Sequence, residues 1–559
     1  MSAADESRSL VGGSGGSGGA SSATAGGGGL SATAGGGGLT RRATTLTKRE
    51  SIAAFKADLM SKENDASMRW FAAKSAFFGG LGGLLAGWDI GAIAGVMLQL
   101  TTEFKLADGQ KELVASTMLM GALGGSVVSG ALADRLGRRA TILLSSAIFA
   151  VGSVVTASAS SVGVLYGGRV FTGVAVAVST TADVMYLTEV APLEWRGALT
   201  SCNELMTTLG ILLAYSAGAL ADGVAGGWRI LFGIPTLLAL LQFVGMLGMP
   251  RSPRWLMERG WREEARDVFR VILVDEARVE RELSAIEAEL RRQRRAEERR
   301  KEERRGAGDE GGGGLCHRAG PELAVAVTMM VFSQWVGNAN VLNYAPIILT
   351  KAGMGASASL AATVGLGVVK MLMTIVAIVS LETKGRRPLL LAGAVCCAVA
   401  MLMLGAAFTP TPPTVPLAVG GLVLFVAAWS ASFGPLGWLL ASELFTDADR
   451  GRAMSVATSV NWSANLGVSL TFLTISDALG QNNAFFMYAA VASAALLFIF
   501  VWVPETMGKT IGEIQREVRA KPGCGCCCGG GGGGAPGAST LLEEGEDGEE
   551  GGEEGASVQ

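Results

Sequence analysis

Runs of about 20 apolar residues with almost no charge recur along most of this chain, and nothing else in the sequence restricts its fold as far. A helix rising 1.5 Å per residue needs that length to cross a hydrocarbon core of about 30 Å. The runs lie at approximately 75–100, 112–133, 139–158, 162–187, 196–220, 227–248, 321–349, 357–382, 387–408, 415–442, 453–477 and 483–503. They are continuous rather than alternating, which points to helices that satisfy their own backbone and not to the strands of a barrel. Only 17% of the 559 residues are charged, and these cluster between the runs, which excludes an ordinary soluble domain. The expectation is an all-α membrane protein with twelve transmembrane helices. A long polar stretch precedes the first run, so that run is not read as a signal peptide.

Loop charge sets the expected orientation. Arg135, Arg138, Arg139, Arg196, Lys384, Arg386, Arg387, Arg450 and Arg452 all fall in alternate connections. The other connections hold little beyond Lys105, Lys111 and Lys351, and the first two share their loop with Glu103, Asp108 and Glu112. The positive-inside bias then puts both termini in the cytoplasm. None of the eight cysteines lies in an exterior loop, so structural disulfides are not expected. Cys524, Cys526, Cys527 and Cys528 follow the last run without a histidine or further cysteine pair. Reversible acylation beside the bilayer suits them better than a metal; the other reading is a Gly/Cys low-complexity accident. His317 is the only histidine, and the chain offers no catalytic set, so no enzyme, metal or cofactor is expected.

Five regions follow from composition. Residues 1–70 form a Gly/Ser-rich cytoplasmic segment read as disordered, with the nine-residue repeat SATAGGGGL at 22–30 and 31–39. Residues 71–250 and 321–505 hold six runs each. The stretch 251–320 between them carries an Arg/Glu-rich helical linker. Interleaved glutamates cancel much of its charge, so it is read as a solvated helix and not as a nucleic-acid surface. Residues 506–559 add a tail with the cysteine cluster, a Gly run and an acidic end.

The two halves repeat one another. Asp134 through Arg139 after the second run is echoed by Glu382 through Arg387 after the eighth, 248 positions on, as Gly385 is from Gly137. Glu189 and Arg196 are echoed by Glu443 and Arg450, and Pro250-Arg251-Ser252 by Pro504-Glu505-Thr506, each 254 positions on. Near-constant offsets mean two copies of one six-helix bundle around a midplane site. The motif residues Asp134, Arg138, Arg139, Glu189, Arg196, Glu382, Arg386, Arg387, Glu443 and Arg450 are expected to form a cytoplasmic latch, an acid of one motif pairing with an arginine of another. Positive-inside topology alone explains the arginines but not the paired acids.

These residues resemble the sugar porters of the major facilitator superfamily over roughly 75–515. The combination is Gly87-Trp88-Asp89, Gly130 through Arg139, Ser252-Pro253-Arg254-Trp255-Leu256, Gly434-Pro435-Leu436-Gly437-Trp438, Asn461-Trp462 and Pro504-Glu505-Thr506 with Gly508. The resemblance implies transport of a monosaccharide or polyol. It assigns Gln334 to bidentate hydroxyl contact, Asn340, Asn338 and Asn465 to further hydrogen bonds, Trp438 to stacking, and Tyr344 and Trp462 to lining or gating the cavity. Departures from the pattern are Glu204 where a sugar-contacting Gln is usual, Lys370 for a frequent Asn, and Arg251 for the acid of the motif after the sixth run. Glu204 and Lys370 can pair across the bundles, serve a second proton site or meet a charged substrate.

Asp89 stands near the middle of an apolar run, where an ionised carboxylate costs on the order of 2.5–3.5 kcal/mol. Arg169, on a run of opposite direction, comes to about the same depth, roughly 20 Å from the cytoplasmic end at 1.5 Å per residue. The pair is read as the proton-coupling site, since a conformational change that weakens it lets Asp89 take up a proton. A permanent brace between the two helices is the alternative. A facilitator and a non-transporting sugar sensor remain open readings, as does the choice of plasma or vacuolar membrane.

Overall fold

The computed structural model describes residues 37–191, 196–273, 275–306, 315–381 and 384–521. The chain divides after Glu63, and the described part of the smaller unit, 37–63, is helical. Beyond residue 40 the Gly/Ser tract gives way to Arg, Lys, Glu, Ala and Leu, which favour helix. The cysteine cluster at 524–528 and Glu382 lie outside the described residues.

The larger unit begins with α1 (Arg69–Phe104), α2 (Asp108–Leu136), α3 (Arg138–Ala157), α4 (Val162–Val190), α5 (Arg196–Leu220) and α6 (Gly227–Leu247). Three linker helices follow, α7 (Pro253–Glu258), α8 (Arg262–Leu273) and α9 (Glu276–Gly306). The second bundle comprises α10 (Leu315–Trp335), α11 (Asn338–Lys351), α12 (Ala356–Leu381), α13 (Arg386–Ala407), α14 (Val415–Ala431), α15 (Phe433–Glu443), α16 (Asp447–Leu479) and α17 (Gln481–Trp502), with a short α18 (Ile511–Arg519) behind it. Among the described residues ten stretches are long and apolar enough to cross a membrane by length and composition alone. The more polar α5 and α16, which carry Asn203, Glu204, Asn461 and Asn465, complete the twelve.

The repeat seen in the sequence is a repeat in space. In the first bundle α3 packs against α4 and α6, and in the second α13 packs against α14 and α17. Across the seam α2 packs on α16 and α5 on α12, two contacts that exchange when the bundles are swapped. Close approach relies on small residues. A side chain on Gly87 would run into the backbone of Thr207, and one on Gly210 into that of Leu84, so α1 and α5 touch backbone to backbone.

Two of the twelve spans, expected as single helices, are broken. The seventh stops at Trp335 and restarts at Asn338, because Gly337 adopts a left-handed φ of 108°. The tenth breaks at Ser432, where the ring of Pro435 would collide with the carbonyl four residues back. At Gly337 and at two internal prolines a carbonyl is stranded, and an aromatic donor from another helix finds it. Pro235 in α6 frees Leu231, whose carbonyl accepts from the Trp88 indole at 2.9 Å. Pro346 in α11 frees Leu342, which accepts from the Tyr215 hydroxyl at 2.8 Å. At Gly337 the N–H turns to Gln334, and the Ser333 carbonyl it abandons accepts from the Trp429 indole at 2.8 Å.

Leaving a buried carbonyl unpaired costs about 1–3 kcal/mol. Tyr215→Phe should therefore lower the thermal midpoint of the detergent-solubilised protein, and should do so far less in a Pro346→Ala background, where the helix supplies its own donor to Leu342. Equal losses in the two backgrounds would refute this account of the bond.

Candidate functional site

A cavity of about 180 Å³ lies between the bundles, lined by Ile90 and Ile93 of α1, Ala115, Met118 and Leu119 of α2, and Arg169 of α4. Asn338, Ala339, Leu342 and Asn343 of α11, Trp438 of α15, and Asn461, Trp462 and Asn465 of α16 close the other side. It is smaller than the roughly 300–1,000 Å³ of pockets that take drug-sized ligands, which suits a ligand of few atoms. One side is apolar and the other is rich in amides, the division a polyol with hydroxyls and weakly apolar faces requires.

Gln334 stands behind the amide wall and orients it. Its Nε2 donates to Asn461 Oδ1 at 2.9 Å, and its Oε1 accepts from Asn465 Nδ2 at 3.1 Å and Asn338 Nδ2 at 3.4 Å. Asn338 and Asn465 are left with carbonyl oxygens to offer a ligand and Asn461 with amide hydrogens, so the wall holds both acceptors and a donor. Gln334 thus organises the wall and is not itself part of the lining. Asn461 was not among the expected contacts, although its spacing of four from Asn465 puts both on one helix face.

Of the other expected contacts, Trp438 and Trp462 line the cavity and Asn340, Tyr344, Glu204 and Lys370 do not. Gly337 explains the first two. The helix restarting at Asn338 turns positions 338, 339, 342 and 343 toward the cavity, which rotates 340 and 344 away. Asn340 is buried beside Tyr488, and Tyr344 stacks on Phe472 and donates to the Ser469 carbonyl at 3.3 Å. Lys370 is buried with its Nζ 4.7 Å from the Trp429 ring centre, and Glu204 of the opposite bundle is its electrostatic partner.

Asp89 and Arg169 meet, as their depths required. Asp89 Oδ2 lies 3.5 Å from Arg169 Nη2, both side chains being almost wholly enclosed, and the guanidinium also faces the Phe232 ring at 5.5 Å. Arg169 reaches the cavity wall while Asp89 stays behind it, so one guanidinium serves the cavity and the carboxylate together.

Among the described residues the ion pairs of the charged motifs close within each bundle. Arg138 Nη2 pairs with Glu189 at 2.9 Å and Glu189 accepts from Ser252 at 2.5 Å, all within the first bundle and its linker. Arg386 pairs with Glu443 at 3.2 Å and Glu443 accepts from Thr506 at 2.5 Å, all within the second. Where pairing across the bundles was expected, Arg138 with Glu189 and Arg386 with Glu443 form two copies of one internal brace, each arginine and its acid sitting on neighbouring helices of the same bundle. Arg139 donates to the last carbonyls of α6, at Met246 and Leu247, and Arg387 to Phe500 near the end of α17, cations placed where a helix dipole ends. Arg450 donates to the carbonyls of Ser442 and Phe445 at the end of α15, and Asp134 lies 3.4 Å from Arg138. Arg196 begins α5.

The copies differ at one position. Glu505 caps the start of α13, accepting from the N–H groups of Arg386 and Arg387. Partial burial pushes its carboxyl up, but the N–H groups of Arg386, Met507, Arg387 and Thr506 outweigh this and hold it below its ordinary value. Arg251 stands at the matching place in the first bundle, faces Glu264 at 3.6 Å, and leaves a cavity of about 350 Å³ beside Gly137, Arg138 and Arg139 at the start of α3.

The family model described as "Sugar (and other) transporter" matches residues 76–518. The chain belongs to this family, within the major facilitator superfamily. The probable metabolite transport protein CsbC of Bacillus subtilis is 35% identical over 451 residues, covering 80% of this chain and 94% of the relative. A D-xylose-proton symporter-like protein of Arabidopsis thaliana is 36% identical over 459 residues, 78% of this chain and 89% of the relative. The partially occluded, inward-open xylose transporter XylE of E. coli superposes with a TM-score of 0.68 at 27% identity, over 79% of this chain and 99% of that one.

Two stability effects follow from the capping difference. Because the folded state lowers the Glu505 value, its contribution is complete at neutral pH and fades as pH falls below the ordinary 4.5. Wild type should melt above Glu505→Gln at about pH 7, the gap closing toward about pH 4. Arg251→Glu should raise the melting temperature by restoring a carboxylate to a helix start, a gain of about 0.5–2 kcal/mol. A lower midpoint for that variant would mean that the first bundle does not tolerate the cap.

Proposed function

We propose that this protein carries a monosaccharide or related polyol across its membrane by alternating access, together with a proton. The observation that carries the reading is the shared guanidinium of Arg169, which lines the cavity on one side and pairs with Asp89 on the other. A sugar hydroxyl that engages Arg169 competes with Asp89 for it. Asp89 then becomes a buried anion with a weakened partner, a state that costs several kcal/mol and that binding a proton relieves. Sugar and proton thereby favour each other in one state of the carrier, which is the thermodynamic content of symport. The names of the relatives, D-xylose-proton symporters among them, support the substrate class and the coupled ion.

The charged motifs mark the cytoplasmic end by the positive-inside bias, and both termini lie on that side. The Asn338, Asn461 and Asn465 amides supply hydroxyl contacts and Trp438 the stacking plate. Lys370 and Glu204 hold the seam beside the site and need not meet the sugar. The membrane is the plasma membrane or that of the vacuole.

Proteoliposomes decide the matter. One proton per sugar allows accumulation of about tenfold per pH unit of imposed gradient. Wild type should accumulate sugar under the gradient, whereas Asp89→Asn should retain counterflow and lose accumulation. Flux without accumulation in wild type would identify a facilitator, and unchanged accumulation in Asp89→Asn would remove Asp89 from the coupling.

A further inference from the structure

Alternating access requires bonds across the seam at one end of the molecule to break once per cycle. Among the described residues, the hydrogen bonds that cross the seam lie at mid-depth or toward the end remote from the charged motifs. They join Thr208 to Met371, Tyr215 to the Leu342 carbonyl, Ser357 to Asp222, Ser116 to Ser469, Asp108 to Asp477, and Glu112 to Thr474. The last is unlike the rest. Glu112 is only 3% exposed although it sits near the start of α2, and both of its carboxylate oxygens are taken by one residue of α16. The Thr474 N–H donates to Oε1 at 2.9 Å and the Thr474 hydroxyl to Oε2 at 2.7 Å.

One helical turn deeper on α2, the Ser116 and Ser469 hydroxyls meet at 3.0 Å. The Tyr344 and Tyr488 phenols lie within electrostatic reach of Glu112. Toward solvent, Lys111 is engaged by Asp108 at 2.5 Å and Lys351 faces Asp477 at 4.0 Å, so among the described residues neither cation is paired with Glu112. Its charge is therefore held chiefly by the opposite bundle, and hydrogen bonds to an ionised group are about twice as strong as neutral ones.

We propose that Glu112 is the latch of the remote gate: its carboxylate, clamped by Thr474, holds α2 to α16 and keeps the cavity closed on that side. Parting the bundles returns the carboxylate to water, so the latch sets how readily the carrier turns to face the remote side. Glu112 is a positioning residue and touches no substrate. The inference rests on the alternating-access reading above, and its test does not use transport as the readout.

Hydrogen exchange of the full-length protein, read by mass spectrometry, tests it. Glu112→Gln loses one of two acceptors, Thr474→Val loses the hydroxyl donor, and Thr474→Ser keeps both donors. In the first two variants, amides of 108–119 and 469–479 should exchange about tenfold faster, and those of 132–141 and 442–455 more slowly, as the motif end closes. Thr474→Ser should match wild type. Unchanged exchange overturns the proposal. So does faster exchange at the remote end without slowing at the motif end, since that is local loosening and not a swing of the bundles. Should Glu112→Gln not fold, Thr474→Val carries the test. Sugar flux measured on the same preparations keeps the two readings apart. Intact flux without the reciprocal change sinks the latch alone, and absence of flux in wild type sinks the transport reading while the exchange data still score the latch.

Discussion

A polypeptide inside hydrocarbon has no water to fall back on, so every backbone group that leaves a helical ladder needs a partner from the protein itself. This constraint governs how the present molecule builds a site. A cavity between straight helices would offer only side chains on smooth cylinders; breaking the seventh and tenth spans at Gly337 and Ser432 turns side chains inward, at the cost of stranded carbonyls. Trp429 meets that cost at Ser333, and Trp88 and Tyr215 do the same at Leu231 and Leu342, carbonyls freed by the internal prolines Pro235 and Pro346. All three donors are aromatic, with an apolar body that packs among helices and one polar atom at the tip. The Tyr215 bond also crosses the seam, so the repair of a helix break doubles as a contact between bundles.

The two bundles show which parts of the duplicated plan are structural and which have been released. Arg138 with Glu189 and Arg386 with Glu443 are the same brace, and Arg139 and Arg387 end equivalent helices in the same way. Braces that keep each bundle rigid are needed twice, because a rocking motion transmits nothing if the rockers deform. Asp89 with Arg169 has no described counterpart in the second bundle, which presents amides instead. The division of labour is chemical: one bundle brings the charged pair and the other brings neutral hydrogen-bonding groups, and the cavity is where they face each other.

Much of this was legible in the sequence because the physics behind it is local or periodic. Twenty-residue apolar runs, the 248 and 254 offsets and the acid at Asp89 in the middle of an apolar run each point to a structural consequence without knowledge of packing. Span breaks are harder to read, since Gly and Pro are tolerated inside many membrane helices, and whether Gly337 bends or breaks its helix depends on a donor such as Trp429, almost a hundred positions away. The break also keeps Asn340 and Tyr344 off the cavity lining, because a helix restarted after a left-handed residue presents a different face. The latch was legible only in part. Opposite charges in repeated motifs say that pairs exist, but not whether a pair closes within a bundle or across the seam, and that choice depends on how α3 leans on α4.

The seam itself combines geometric symmetry with unlike chemistry. Swapping the bundles exchanges the α2 and α16 contact with that of α5 and α12, so a rocking motion loads both together. The first is closed by the Glu112 carboxylate on Thr474, the second by Lys370 facing Glu204 and, just beyond α5, by the Asp222 carboxylate on Ser357, while Tyr215 of α5 reaches the Leu342 carbonyl of α11 beside it. A tyrosine–carbonyl bond is neutral and changes little in strength with surroundings, whereas a clamped carboxylate gains water the moment it is released. Release of Glu112 on the α2 side and of Asp222 at the end of α5 is therefore softened by hydration, while the Tyr215 bond persists until the helices part. The seam thus combines bonds of different distance dependence, the carboxylates of Glu112 and Asp222 and the neutral bond of Tyr215.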